Sequence, residues 1–220
     1  MIWIIFVGVG VLIITIMALS LLAAKKRREA LSLIAEALNL TFTPKADASL
    51  IASLQDFSLF TKGHSKKAMN VMQGCANEIN LTILDYQYTT GGGKNSSTFE
   101  QTVILFQSPQ LNLPPFTVRP EHFFHRIGSA FGYQDIDFDT HPEFSKMYLL
   151  QGDNEQEVRD FFTDALFAFY TEHPGFCTET KGDQLIFYRF AKKAKPEMIK
   201  AFMQEGFALF TILVASSKRK

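Results

Sequence analysis

Cysteine is nearly absent: 220 residues hold two, Cys75 and Cys177. That excludes a disulfide-stapled scaffold and a four-cysteine zinc module. Net charge is absent too, with 22 Lys plus Arg against 22 Asp plus Glu. No GxSxG, HExxH, CxxC or GxGxxG string occurs, which removes the familiar signatures of hydrolase, zinc-protease, redox and dinucleotide sites. Collagen-like and disordered compositions are missing as well. Hydrophobic residues make up 47% and charged residues 20%, ordinary for a folded chain. The length suits one domain, or two small ones.

The absence with the largest consequence is charge from residues 2–24. The only polar side chains there are Thr15 and Ser20, whose hydroxyls can bond the preceding helical turn. As a helix the run would be ~35 Å long, enough for a ~30 Å hydrocarbon core. A helix also satisfies its own backbone in lipid. Trp3 falls where an interfacial anchor sits. A signal peptide would want cations before the run and a cleavage site after it. Here Lys25, Lys26, Arg27 and Arg28 follow it directly. The expected organisation is a transmembrane helix over 1–24, a basic juxtamembrane segment and helix over 25–43, a domain over 44–217 and a basic tail over 218–220.

Those four cations predict the orientation. The end they flank stays cytoplasmic, so the amino terminus lies outside and the domain is cytosolic. The expected location is the inner membrane of a bacterial cell, crossed once. Trp3, Lys25, Lys26, Arg27 and Arg28 are the expected membrane contacts. Setting aside that block and Lys218, Arg219 and Lys220 leaves 15 basic against 22 acidic residues, a body charge of about −7. An acidic body argues against nucleic acid as a partner.

Beyond the anchor the patterning is mixed. Residues 29–40 read as a helix continuing the anchor without a breaker, and Asp47 as the cap of a short second helix. From Phe57 to Pro120 the period is two. Strands are expected over 57–62, 70–74, 80–89 and 98–107, with an edge piece over 116–119 after Pro109, Pro114 and Pro115. A helix is expected over 120–132, a strand over 144–151, and one helix after an Asn154/Glu157 capping box. A hairpin about Lys181-Gly182-Asp183 and a final helix from Pro196 complete the chain. Strands arriving in runs give an α+β fold: a mainly antiparallel sheet packed with amphipathic helices. The 22 Phe residues supply its core.

Four stretches invite a chemical reading. Gly91, Gly92, Gly93 and Lys94 suggest a phosphate loop, but the earlier Walker glycine is Tyr88 and Asn95 follows the lysine. The stretch reads as a strand-to-strand turn, with a ligand or partner loop as the alternative. Asp135-Ile136-Asp137-Phe138-Asp139 begins like a calcium loop and then offers Thr140 where glycine is needed. Asp135, Asp137, Asp139 and His141 remain weak metal candidates. His122 and His125 share a helix face without a third ligand. Residues 206–215 are nearly all apolar and read as a buried C-terminal helix. The alternative lays its basic tail on the inner leaflet.

The middle of the chain, from about 58 to 190, resembles uncharacterised bacterial single-pass membrane proteins with a cytosolic α+β domain. The residues that carry this are Asp85-Tyr86-Gln87-Tyr88-Thr89-Thr90-Gly91-Gly92-Gly93-Lys94, Gln101-Thr102-Val103, Arg119-Pro120-Glu121 and Pro142-Glu143-Phe144-Ser145. The resemblance implies a tethered cytosolic domain and brings no activity with it. The leading expectation is a membrane-anchored domain that binds a partner protein or the inner leaflet, leaning away from an enzyme, with no cofactor. The alternative is a tethered enzyme or small-ligand or metal binder with a pocket near Lys94, Arg119 and the carboxylates of Asp135, Asp137 and Asp139.

Overall fold

The computed structural model describes residues 2–121 and 135–218, with side chains from residue 6 onward. Of the expected helix over 120–132, Pro120 instead ends a strand, and residues 122–132, with His122 and His125, lie outside the described residues. Helix α1 runs unbroken from Ile2–Ala37, 36 residues and ~54 Å. The hydroxyls of Thr15 and Ser20 donate to Val11 O and Ile16 O at 2.8 and 2.9 Å, so the helix absorbs its own polar groups. Its first half is long and apolar enough to cross a membrane and packs on nothing. Phe6 and Leu21 are each 70% exposed. Its last turns bury Leu31 and Ala35 in the body.

The fold is α+β, as the patterning predicts. Eight strands form one antiparallel sheet: β1 Thr41–Lys45, β2 His64–Ala76, β3 Ile79–Thr90, β4 Ser97–Gln107, β5 Leu113–Pro120, β6 Tyr148–Gly152, β7 Cys177–Gly182 and β8 Gln184–Tyr188. Their order is β1-β2-β3-β4-β8-β7-β5-β6. The β2–β3 turn is Asn77-Glu78, both with positive φ (51° and 63°), the twist a two-residue hairpin requires. Apolar residues on both sides of β4 suit its central place. Val103 and Leu105 enter one core, Ile104 and Phe106 the other.

Helices cover the two faces unequally. On the first face lie the end of α1, α4 Pro142–Met147, α5 Glu155–Phe161, α6 Asp164–Glu172 and α7 Ile199–Ser217. On the second, among the described residues, lie only α2 Ala48–Ser53, the 3-10 turn Leu54–Asp56 and α3 Ser58–Thr61. Asp47 caps α2 as expected, its Oδ1 accepting from Leu50 N at 2.8 Å. Asn154 likewise caps α5, accepting from Glu157 N at 3.2 Å.

Four local expectations are corrected. Residues 57–62 are a helical turn and not a strand, because Phe57, Leu59 and Phe60 all face the sheet. Lys66 Nζ then donates to the terminal carbonyls of Phe60 and Thr61 at 2.8 and 3.0 Å. The 116–119 piece is interior, between β7 and β6. Thr180 Oγ1 fills the gap left by the prolines, donating to Pro114 O at 2.7 Å and accepting from Phe116 N at 3.1 Å. Residues 144–147 belong to α4, which Pro142 opens, before β6 begins. The helix after Asn154 breaks at an extended pair, Phe162-Thr163. That pair lets Phe161 and Phe162 both reach the Phe116 ring, at 6.0 and 5.2 Å.

Phe187 is fully buried, with ring centroids 4.1 Å from Phe176 and 5.5 Å from Phe202. Phe187→Ala is expected to cost about 3–5 kcal/mol, read by denaturant unfolding of the full chain in mild detergent.

Candidate functional site

The groups that organise this molecule are buried charges, one ion pair on each face of the sheet. The first joins α1 to the sheet. Asp85 sits in β3 in register with Leu81 and Ile83, on an otherwise apolar face, and is 4% exposed. Arg27 grips it with two parallel bonds, Nε to Oδ2 at 2.8 Å and Nη2 to Oδ1 at 2.7 Å. Asn70 Nδ2 donates to Oδ2 at 2.9 Å and Thr102 Oγ1 to Oδ1 at 2.8 Å. Arg27 Nη1 also donates to Ala194 O at 2.8 Å, and Ala194 N donates to Thr102 Oγ1 at 2.9 Å. Four chain segments therefore meet at one carboxylate. A fork-to-fork pair of this kind fixes direction as well as distance.

Arg27 was expected among the leaflet contacts; its guanidinium is instead turned into the body. Lys25, Lys26 and Arg28 stay exposed, with Lys25 Nζ 3.9 Å from Glu29. Trp3 lies in α1, its side chain outside the described ones. Sequence reasoning overlooked the role of Asp85 as a keystone. The signal was present: a carboxylate at an apolar register position needs a cation.

Arg27 is three residues past Ala24, ~4.5 Å of helix, so this junction marks the anchor end of the sheet. The strands run from there to the far end, since α1 continues to Leu31 and Ala35 in the core that holds Ile83, Ile104 and Phe106. The β3–β4 register pairs Asp85 with Thr102 and Thr90 with Ser97, so the turn holding Gly91, Gly92, Gly93 and Lys94 projects toward the anchor side by up to ~17 Å of strand. The turn is exposed, with positive φ at Gly91 (73°) and Gly93 (56°). Helix α7 runs the other way: Gly206 meets Phe106 and Ile104, and Ser217 Oγ accepts from Asn112 N at 3.1 Å. It is buried along one side, as expected for residues 206–215. The alternative that laid the basic tail on the leaflet beside the first basic block is corrected, because Lys218 is carried to the far end.

The second ion pair lies on the opposite face. Arg119 Nη2 approaches Glu179 Oε1 at 3.4 Å and Ser58 Oγ. Tyr188 OH donates to Glu179 Oε1 at 3.0 Å, and Leu59 N donates to Oε2 at 3.2 Å. Glu179 thus pins α3 to the sheet. Arg119 Nε is buried without an acceptor. Beside it opens a cavity of about 350 Å³ walled by Asp56, Thr117, Gln151, Asp153 and Lys181. Burial, with the Arg119 charge, pushes the Lys62 amine down to about 8. Burial pushes the Cys177 thiol up to about 12, which keeps it protonated and poorly nucleophilic.

The expected pocket near Lys94, Arg119 and the acidic stretch does not assemble. Lys94 sits in the anchor-end turn, and Arg119 on the second face. Asp135 turns to β6, its Oδ1 accepting from Leu150 N at 2.9 Å. His141 stacks on Phe167, 3.8 Å between ring centroids, and lies 3.3 Å from Asp164. Among the described residues no group of three or more His, Cys, Asp or Glu converges to hold an ion.

No family model and no curated protein matches this chain. Among solved structures it is similar to the mycobacterial trehalose monomycolate transport factor A, TtfA. The TM-score is 0.62 at 9% identity, covering 86% of this chain and 94% of that one. At that identity the likeness is one of fold.

Arg27→Met is expected to cost about 3–5 kcal/mol, because it strands a buried carboxylate, and adding Asp85→Leu should recover most of the loss. Lys26→Ala should stay within about 0.5 kcal/mol. Urea unfolding of the full chain in detergent reads all three. Burial pushes the Asp135 carboxyl up to about 6, with Asp137 and Glu121 adding to the rise and the Leu150 N–H opposing it. The folded chain then holds that proton more tightly than the unfolded one, whose pKa is about 3.9. The contribution is complete below about pH 4 and is lost as pH rises through about 6. Asp135→Asn should flatten the profile between these values and stabilise the chain at pH 7.5 by no more than about 1 kcal/mol, since solvent screens the half-exposed group. Melting temperature against pH tests this.

Proposed function

We propose that this protein is a single-pass accessory factor of a bacterial inner membrane, with its amino terminus outside and its α+β domain in the cytoplasm. There it holds a partner protein embedded in the same membrane. One observation carries the reading: α1 passes without a break from an apolar, unpacked half into the core, and Arg27 locks it to Asp85 within one turn of the last apolar residue. A tether that merely kept a domain near a surface would need no such lock. A rigid one presents a chosen end of the domain to the bilayer. That end carries the exposed turn of Gly91, Gly92, Gly93 and Lys94, within reach of a neighbour's membrane-proximal loops.

The four cations after Ala24 support the orientation. The description of a protein with this fold as a transport factor supports an accessory role in transport. The resemblance noted in the sequence supports a tethered cytosolic domain. The ligand-binding alternative narrows to the cavity beside Arg119, since its other residues lie apart.

Two measurements test the proposal. Reporter fusions at the carboxyl terminus should be active inside and silent outside; the reverse pattern overturns the orientation. A photo-crosslinker replacing Lys94 should give a discrete adduct with a membrane protein, while one replacing Lys181 at the far end should not. Equal capture at both positions, or at neither, overturns partner binding through this turn.

A further inference from the structure

Ala194, which receives Arg27, belongs to the run Lys192-Lys193-Ala194-Lys195 between β8 and the 3-10 turn Pro196–Met198. All three lysines are exposed, yet the backbone beneath them is held. Lys192 O accepts from Thr102 N at 3.2 Å, and the Ala194 peptide bonds both Thr102 and Arg27. The 3-10 turn packs against α1. The loop is therefore held at the level of Arg27, which Lys25, Lys26 and Arg28 flank along α1.

Six exposed cations thus stand near the level of this junction, on a body that is acidic elsewhere. The acids among them are Glu29 near Lys25, Glu100 at 2.8 Å from Lys193, and the exposed Glu197. A surplus of three positive charges remains. Between the loop and the start of α7 lies a cleft of about 530 Å³, lined on its charged side by Arg189, Lys192, Lys193, Lys195, Glu197 and Glu205. Glu205 is engaged with Arg189 at 3.4 Å. Met198, 52% exposed, lies at the rim; beyond the apolar half of α1 it is joined only by Leu33 and Ile51 as large exposed apolar residues among those described.

We propose that this loop is a second lipid contact, made by the body itself. Lys192, Lys193 and Lys195 lie on anionic phospholipid headgroups of the leaflet next to the anchor, and Met198 enters the interface between them. The inference rests on the reading that α1 crosses the membrane. That reading places the loop within about one Debye length, ~8 Å, of the headgroups. Compact ammonium groups suit phosphate there. The contact would hold the domain against the bilayer beside α1 at the junction.

The test uses the full chain in nanodiscs of phosphatidylcholine alone or with phosphatidylglycerol added. Lysine acetylation rates are read by mass spectrometry. Lys192 and Lys195 should label about five-fold more slowly in the anionic discs, the effect of roughly 1 kcal/mol per lysine. Lys181 at the far end should not change, and about 1 M salt should abolish the difference. Equal rates in both discs overturn the proposal while leaving the anchor reading intact. Equal protection in both discs, insensitive to salt, overturns it too. A chain that fails to enter the discs overturns the anchor reading and this proposal together.

Discussion

A bidentate ion pair between Arg27 and Asp85 sets the relation on which the rest of the architecture depends. It joins residues 58 positions apart, at the point where the apolar, unpacked half of α1 gives way to the half packed on the sheet. Its energy is not obviously favourable: two buried charges cost several kcal/mol each in lost hydration, and an apolar pair of equal volume would often do as well. What an apolar pair lacks is direction. A guanidinium that must meet Asp85, Thr102 and Ala194 at once permits one rotation of α1 and one height. Sliding the helix by a residue would place Lys26 or Arg28 at the carboxylate and turn Leu31 and Ala35 out of the core.

The second face repeats the device with other groups. Glu179 receives Arg119, Tyr188 and the backbone of Leu59, and so decides where the short helical segment sits over β7. A pocket remains because that segment is too short to cover the sheet. The two cores are thus closed by different means, five helical packings led by α1 and α7 on one side and a few turns with a polar pin on the other.

Much of this was legible in the chain. The charge-free run, the lack of a breaker before residue 37, the Asp47 and Asn154 caps, the hairpins and the doubly apolar β4 all follow from local pattern. What failed did so for definable reasons. Phe57, Leu59 and Thr61 alternate with Ser58, Phe60 and Lys62 well enough to suggest a strand, and only the sheet beneath them shows that Phe57, Leu59 and Phe60 all point down. Pro114 and Pro115 suggest an edge, and no local rule reveals that the Thr180 hydroxyl serves Pro114 O and Phe116 N there. The basic block read as four equivalent cations. One of them is structural, and the sign of that lay far away, in the misplaced carboxylate of Asp85. The alignment of Lys192, Lys193 and Lys195 with the juxtamembrane block is likewise invisible until β8 is seen to end beside Thr102.

A helix that runs without a break from an apolar half long enough to cross a membrane into the protein core makes the domain a passenger of that half. Apolar helices answer a change in hydrocarbon thickness by leaning. With no break in α1 to absorb it, that lean becomes a lean of the whole sheet, and the β3–β4 tip swings with it. The pose of this protein would then vary with the lipids around it, as a mast shifts with the deck it is stepped through.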